Sequence, residues 1–76
     1  MGYELFGARS CPYTREMREW LEWKGYDYIE YDVEADRGAR DRMIVISGGQ
    51  RIVPLLAEND SAVQIGFRGC GCVVAR

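Results

Sequence analysis

The segment 10-SCPYT-14 places a cysteine directly before a proline, between a strand-like run and a helix-like run. The preceding residues, 3-YELFG-7, are apolar-rich and bounded by glycines, which is typical of a short strand. Apolar side chains then recur at helical spacing over residues 12–24, and Gly25 is the expected end of that helix. The sequence therefore predicts that Cys11 lies where a first strand gives way to a first helix.

The remaining elements follow in the order strand, helix, strand, strand, so the whole order is βαβ followed by αββ. Residues 27–33 are rich in aromatic and β-branched side chains and predict a second strand. Asp36 is a favourable N-cap for a second helix, which the glycine pair 48–49 would end. Residues 52–58 and 62–65 then predict a terminal hairpin.

Size and charge limit the classes of protein to which this chain could belong. Its 76 residues provide room for one domain, residues 1–76, and residues 66–76 are too short for more than one helical turn or an irregular tail. The net charge of −2 and the scattered Lys and Arg side chains argue against a nucleic-acid partner. No window approaches an apolar membrane span, and the N-terminal residues lack the pattern of a signal peptide. We therefore expect a cytoplasmic protein with no nucleic-acid and no membrane partner, provided that the sequence is complete.

Cysteine usage points to redox chemistry or metal binding. The chain has three cysteines, an odd number that argues against a framework of structural disulfides in a short intracellular protein. It has no histidine, which excludes a Cys-His nucleophile pair and histidine-containing zinc sites.

Cys11 has the local setting of an activated thiol. The dipole and the unpaired N–H groups of a helix N-terminus favour the thiolate, which is the nucleophilic form. Pro12 suits the first helical position, because its missing N–H would have no partner there. These features predict a reactive, partly exposed thiolate at Cys11. The alternative is a small apolar side chain buried at the start of a helix.

Pro54 interrupts the apolar run of the predicted third strand. Proline is tolerated at a sheet edge, at a strand start or, with a cis peptide, in a turn. From the residues alone, an edge-strand trans proline is the default expectation. A cis bond after Val53 would instead turn the Val53 backbone outward, where it could pair with an extended peptide thiol as an added strand.

Three features in register resemble the glutaredoxin family, whose members are oxidoreductases with a thioredoxin fold. They are the CPYT motif of residues 11–14 after the first strand, Val53-Pro54 before the third, and a glycine-rich turn after the fourth. The resemblance covers nearly the whole chain except the family's last helix. It implies a thioredoxin-like α/β fold with a four-stranded mixed sheet in βαβ–αββ order, in which the last helix is short or absent. It also implies that Cys11 is the attacking thiol and that Pro54 is a cis proline beside it.

Within the family, the chain is most similar to the Uxx-star group of glutaredoxin-like proteins, whose members often carry selenocysteine. The similar segments are 30-EYDVEAD-36, 47-SGGQRIVP-54 and 66-GFRGCGC-72. In this chain, cysteine occupies the active position.

Two departures from the family pattern bear on the mechanism. Thr14 stands where dithiol glutaredoxins have a second cysteine, so Cys11 cannot close the usual CxxC disulfide. Residues 66–69 replace the family's Gly-Gly-x-Asp-Asp turn, which holds the γ-glutamyl end of glutathione. They resemble instead the redoxins that reduce ribonucleotide reductase without glutathione. We expect no tightly bound cofactor, and a reductant that is either glutathione, as a co-substrate, or a reductase of the thioredoxin-reductase type.

Arg9, Arg51 and Arg68 lie in the three loops that this fold would place around Cys11. A guanidinium pairs well with carboxylates, so these side chains could bind the carboxylates of glutathione or lower the pKa of Cys11. The alternative is that they are solvated surface arginines. The full set of residues expected to bind substrate is Arg9, Pro12, Tyr13, Thr14, Arg51, Val53, Pro54, Gly66, Phe67 and Arg68.

Cys70 and Cys72 allow several interpretations. Either thiol could attack a mixed disulfide on Cys11 and so replace the missing second cysteine of the motif. The two could instead form a strained disulfide with each other. Together with Cys11 they could hold zinc, copper(I) or, between two chains, an iron–sulfur cluster. They could also be incidental cysteines in a disordered terminus.

The favoured hypothesis is a thiol–disulfide oxidoreductase of the glutaredoxin type that acts on protein or low-molecular-weight disulfides. In this hypothesis Cys11, Cys70 and Cys72 are the catalytic residues, and no metal is bound. The alternative is a protein that binds or carries a metal or an iron–sulfur cluster through Cys11. A third hypothesis is an interaction module without catalysis.

Overall fold

A mixed β-sheet lies between two helices in the described part of the chain. The computed structural model describes residues 2–74. Along the chain, the elements are β1 (Tyr3–Gly7), α1 (Pro12–Lys24), β2 (Tyr28–Asp32), α2 (Arg37–Ile46), β3 (Ile52–Val53), β4 (Leu55–Glu58), β5 (Ser61–Ile65) and β6 (Cys72–Val73). Strands β2, β1, β4 and β5 are adjacent in that order in one sheet, and β3 and β6 form a separate two-stranded sheet. Strand β1 is parallel to β2 and antiparallel to β4, which confirms the predicted four-stranded mixed sheet and the α/β class.

Helix α1 covers one face of the larger sheet. It begins at Pro12, as predicted, and ends before Gly25, which has a left-handed φ of 76°. Its buried side chains Met17 and Leu21 pack on Leu5 of β1. The apolar cluster under α1 consists of Leu5, Met17, Leu21, Leu56 and Phe67.

Helix α2 covers the opposite face. Asp36 is its N-cap, as predicted, and the carboxylate accepts a hydrogen bond of 3.1 Å from the Ala39 N–H. Leu5 and Phe6 are adjacent in β1, so their side chains point to opposite faces, and Phe6 packs with the buried Met43 of α2. Neither of the two helices in residues 2–74 is long and apolar enough to cross a membrane. The apolar cluster under α2 consists of Phe6, Ala8, Cys11, Val33, Ala39, Met43, Val53, Leu55, Ala57 and Val74.

Residues 52–58, predicted as one strand, form two. Strands β3 and β4 belong to different sheets, and the Val53-Pro54 peptide between them is cis, as the family resemblance implies. Strands β4 and β5 make the predicted hairpin, whose turn residues Asn59 and Asp60 have φ values of 53° and 61°. Positive φ at both central positions characterises the tight turn that matches the twist of the flanking strands.

The segment after β5 differs from the prediction of one helical turn or an irregular tail. Its turn at residues 68–69 has φ values of 54° and 78°, and the flanking Phe67 and Cys70 exchange two backbone hydrogen bonds of 2.7 and 2.9 Å. This reversal returns residues 72–73 to β3, where they form β6. A strand of two residues is too short to show a periodic pattern, so the sequence does not indicate it. Residues 75–76 of the segment lie outside the described residues.

Gly7 is the residue at which the end of β1 passes closest to Thr14 of α1. A Cβ atom at Gly7 would lie 2.9 Å from Oγ1 of Thr14 and closer still to its Cγ2. Thr14 is 1% exposed, so its side chain has no solvent space into which it could move. The close approach of strand and helix therefore requires glycine at this position.

We expect Gly7→Ala to lower the free energy of unfolding by about 1–3 kcal/mol through overpacking, as measured by chemical denaturation. Gly2→Ala is the matched control, because a Cβ there would meet only the Asp27 carbonyl oxygen, at 3.7 Å. Thr14→Ser removes Cγ2 and should recover part of the loss when it is combined with Gly7→Ala. Strictly additive losses in the double variant would show that the clash is not the cause.

Candidate active site

Cys11 is the N-cap residue of α1 and lies just beneath the protein surface. Its N–H donates to the Ala8 carbonyl at 3.1 Å, and its carbonyl accepts from the Thr14 N–H at 3.2 Å. These two bonds close the turn between β1 and α1 and hold the sulfur beside the first helical turn. Its chain neighbours Ser10 and Pro12 are both exposed, whereas Cys11 itself is buried.

The prediction of a partly exposed Cys11 is wrong. The residue is 2% exposed and belongs to the cluster under α2, together with Val53 and Val74. Cys72 is half-buried and packs against the same cluster. The cover over Cys11 therefore includes β6 and the residue after it, a part of the chain in which the sequence does not indicate a strand.

Val53 connects Cys11 to β6. Its carbonyl accepts the hydrogen bond that the Cys11 thiol donates, with 3.8 Å between Sγ and the oxygen. In the β3–β6 ladder, Val53 lies opposite Cys72. The Val74 N–H donates to the Arg51 carbonyl at 2.7 Å. Arg51 and Val74 are thus a hydrogen-bonded pair, and such pairs alternate with non-bonded pairs along an antiparallel ladder, so Val53 and Cys72 are the next hydrogen-bonded pair. Val53 is therefore the residue of β3 at which the Cys11 and Cys72 thiols meet.

Cys11 is stabilised as a thiolate in spite of its burial. Burial raises the pKa of the Cys11 thiol, but hydrogen bonds from the Cys72 thiol and from Thr14 and Tyr13 outweigh it, so the pKa lies below its ordinary value. As a neutral thiol, Cys11 makes no capping hydrogen bond and donates to Val53 instead. The first-turn amides therefore act on the ionised form, which is the effect predicted for this helix N-terminus.

Cys72 has the opposite shift. Its hydrogen bond to Cys11, its burial and the negative charge of Cys11 raise the pKa of Cys72 to about 11. Of the two thiols, Cys11 therefore ionises first, and Cys72 keeps its proton. In this dithiol pair, Cys11 is the sulfur that forms the nucleophilic thiolate more easily, and Cys72 stays a thiol.

Cys70 lies apart from this pair, beside Tyr13. The charge of Cys70, followed by burial and a hydrogen bond to Cys70, raises the pKa of Tyr13. Cys70 is exposed, whereas Cys72 is half-buried at Cys11. Of the two cysteines predicted as partners of Cys11, the structure thus brings Cys72 to it. Within residues 2–74, no group of three or more Cys, Asp or Glu side chains could hold a metal ion.

Thr14 is buried beside Cys11 and contacts both the β1–α1 loop and the sulfur. It is 1% exposed, and its hydroxyl oxygen accepts from the Ala8 N–H at 3.3 Å. A hydrogen bond from the same side chain contributes to the lowered pKa of Cys11. Contact of Thr14 with substrate stays a prediction; in this structure its side chain is directed at the loop and the sulfur.

The turn that follows β5 is mostly structural. The Gly66 N–H donates to the Pro54 carbonyl at 2.7 Å, and a Cβ at Gly66 would lie 2.8 Å from the Cys70 carbonyl oxygen. Phe67 is buried in the cluster under α1. Arg68 is exposed, with its guanidinium 5.4 Å from the centre of the Phe67 ring. Of the three turn residues predicted to bind substrate, Arg68 is the one that solvent can reach directly.

The three predicted arginines are all exposed but do not share one cleft. Arg9 lines a cleft of about 300 Å³, and Arg51 lines a different cleft of about 180 Å³. The leading contributions to the lowered pKa of Cys11 come from Cys72, Thr14 and Tyr13, and none of them comes from an arginine. Carboxylate binding by these arginines stays a prediction.

Replacing Cys72 should raise the pKa of Cys11. Cys72→Ala removes the strongest hydrogen bond that favours the thiolate, whereas Cys70→Ala leaves that bond in place. The pKa is the midpoint at which the ultraviolet absorbance of the thiolate rises with pH, after subtraction of the curve for the same protein carrying Cys11→Ser as well. A midpoint for Cys72→Ala at or below that of the unaltered protein would contradict the placement of Cys72 beside Cys11.

Sequence relatives of this chain are probable glutaredoxins. The chain is 34% identical over 67 residues to the protein named "Probable glutaredoxin slr1562" of Synechocystis sp., an alignment that spans 88% of this chain and 58% of that protein. It is 27% identical over 60 residues to "Probable glutaredoxin ssr2061" of the same organism, spanning 79% of this chain and 68% of that protein. The chain thus spans less than two thirds of the length of the first of these relatives.

A solved structure and a family model agree with these relatives. A mutant of the thioredoxin-like protein BC3987 superposes with a TM-score of 0.74 and 26% identity, covering 87% of this chain and 86% of that one, which confirms the thioredoxin-like fold. The family model described as Glutaredoxin matches residues 3–63, most of the chain. The chain therefore belongs to the glutaredoxin family.

Proposed function

We propose that this protein is a thiol–disulfide oxidoreductase in which Cys11 attacks a disulfide and Cys72 resolves the mixed disulfide that forms. The observation that carries the proposal is the meeting of a low-pKa thiol and a high-pKa thiol at Val53. Membership of the glutaredoxin family supports this class of reaction. Substrates are protein or low-molecular-weight disulfides.

In the first step, the Cys11 thiolate attacks one sulfur of the substrate disulfide. A bond forms between Cys11 Sγ and that sulfur, the substrate S–S bond breaks, and the other substrate sulfur leaves as a thiolate. The lowered pKa of Cys11 supplies the attacking thiolate. Cys72 remains protonated during this step, so it does not compete with Cys11 for the substrate.

In the second step, Cys72 attacks the Cys11 sulfur. The mixed disulfide carries no charge at Cys11, and that charge, together with the hydrogen bond to it, is a main cause of the high pKa of Cys72. The pKa of Cys72 therefore falls toward its ordinary value once Cys11 has reacted, and its proton passes to a departing thiolate. The new Cys11–Cys72 bond releases the remaining substrate sulfur. The substrate has then gained two electrons and the dithiol pair has lost two.

An external reductant must return the Cys11–Cys72 disulfide to two thiols. It supplies two electrons and two protons, either as two molecules of glutathione or as a dithiol reductase of the thioredoxin-reductase type. The turn at residues 66–69 lacks the acidic pair of the glutathione-binding turn, which favours the reductase. Contacts to substrate or reductant come from the Val53 backbone and from the side chains that solvent reaches at the site, which are Arg9, Pro12, Tyr13, Arg51 and Arg68.

Cysteine variants test the two assigned roles. Cys11→Ser should abolish reduction of a low-molecular-weight disulfide, because no other thiol has the helix N-terminus. Cys72→Ser should lower turnover by about tenfold or more when external thiol is kept below the millimolar effective concentration typical of a tethered group. Cys70→Ser, the matched control, should turn over as the unaltered protein does. Turnover is measured as consumption of the reductant.

The covalent intermediates separate this proposal from its competitors. Mass mapping should find a Cys11–Cys72 linkage in the oxidised protein and a trapped Cys11–substrate disulfide in Cys72→Ser. A Cys11–Cys70 or Cys70–Cys72 linkage would refute Cys72 as the resolving thiol. Visible absorbance after anaerobic purification, with all three thiols unlinked, would favour the iron–sulfur alternative instead.

A further inference from the structure

Strand β6 occupies the edge of β3 at which an extended substrate peptide would pair. The antiparallel register places Cys72 opposite Val53 and Val73 opposite Ile52. Backbone pairing with Val53 is the contact that strand addition offers to an extended peptide carrying a thiol. In this structure the chain itself supplies such a peptide, with Cys72 as its cysteine.

We propose that β6 is an internal substitute for a substrate strand, and that β6 and an extended segment of a protein disulfide occupy the edge of β3 in turn. The inference rests on the proposed function, because it names the substrate class of the same site. While β6 is paired with β3, it covers Cys11 and keeps substrate from the sulfur. When β6 leaves, a protein segment with an oxidised cysteine takes its place opposite Val53, and the return of β6 brings Cys72 to the mixed disulfide and displaces the segment.

The tail, residues 71–74, is held to β3 by few contacts. Strand β6 has two residues and, within residues 2–74, pairs with β3 alone. A two-stranded ribbon of this kind is marginally stable in water. Val73 is 79% exposed and contributes little burial, whereas Val74, at 5%, anchors the tail in the cluster under α2. Release of β6 therefore exposes one buried valine and the Cys11–Cys72 contact, and leaves the larger sheet intact.

Gly71 allows the tail to lie against β3. A Cβ at Gly71 would lie 2.7 Å from the Val53 carbonyl oxygen and 2.7 Å from Cγ2 of Ile52. The carbonyl is backbone, and it also accepts the hydrogen bond from Cys11, so it cannot shift freely. An alanine at this position should therefore move β6 away from β3 while all three cysteines remain in the chain.

Gly71→Ala should raise the rate at which iodoacetamide alkylates Cys11 by about tenfold or more, since overpacking of this kind shifts an equilibrium by such a factor. Rates are compared at a pH at which Cys11 is fully ionised in every variant, and mass mapping separates Cys11 from the other cysteines. Val74→Asp, which removes the apolar anchor by a different route, should give the same increase. Val73→Ala, on the exposed side of β6, is the control and should leave the rate unchanged.

Single-turnover reaction with a peptide disulfide adds a readout that bulk turnover does not give. In Gly71→Ala the mixed disulfide on Cys11 should form faster and be resolved more slowly, so that it accumulates. In Val73→Ala both steps should match those of the unaltered protein. Faster formation with unchanged resolution would mean that β6 is a cover alone and does not displace the bound segment.

Failure of this inference and failure of the proposed function give different results. An unchanged rate of Cys11 alkylation in both Gly71→Ala and Val74→Asp overturns the role of β6, even where disulfide reduction proceeds through Cys72. Faster alkylation in these variants, in a protein that reduces no disulfide, refutes the proposed function and supports occupation of the β3 edge by β6.

Discussion

The peptide unit at Val53 is the point on which the candidate site depends. Its side chain is buried in the cluster under α2, its carbonyl accepts from the Cys11 thiol at 3.8 Å, and its strand partner is Cys72. Side chains in a strand stand roughly perpendicular to the direction of the ladder hydrogen bonds. The Val53 side chain can therefore pack in the core while its backbone pairs with β6. A shift of β3 relative to α1 would therefore change both the contact between the two thiols and the closure over Cys11.

The unequal ionisation of the two thiols follows from the elements that carry them. Burial raises the pKa of both sulfurs. Cys11 begins a helix, whose first N–H groups have no partner within the helix and can face a thiolate. Cys72 lies in a strand, where the backbone N–H groups are used in the ladder. The hydrogen bond from Cys72 and then the first-turn amides of α1, rather than a nearby arginine, thus make Cys11 the sulfur that ionises first.

The helices and the larger sheet could be predicted because each element carries a local signal. Pro12 and Asp36 mark the starts of the helices, and the strands show runs of apolar or β-branched residues. Strand β6 has no such signal, since its two residues show no period and its partner lies far earlier in the chain. The burial of Cys11 and the choice of Cys72 over Cys70 both follow from β6, so these features escape prediction for one reason. A motif can identify the nucleophile, but the group that covers it depends on long-range pairing.

Cys72 lies outside the segment that the family model matches. The family match, residues 3–63, includes Cys11 and Pro54 but ends before Cys72. At the motif's second position, Thr14 is buried and holds the Ala8 N–H, so a thiol there would be fixed within the same helical turn as Cys11. In the proposed mechanism, Cys72 is carried instead by a strand that leaves and returns. Resolution of the mixed disulfide and closure of the site then become a single event, because the strand that covers Cys11 also brings the sulfur that releases the substrate.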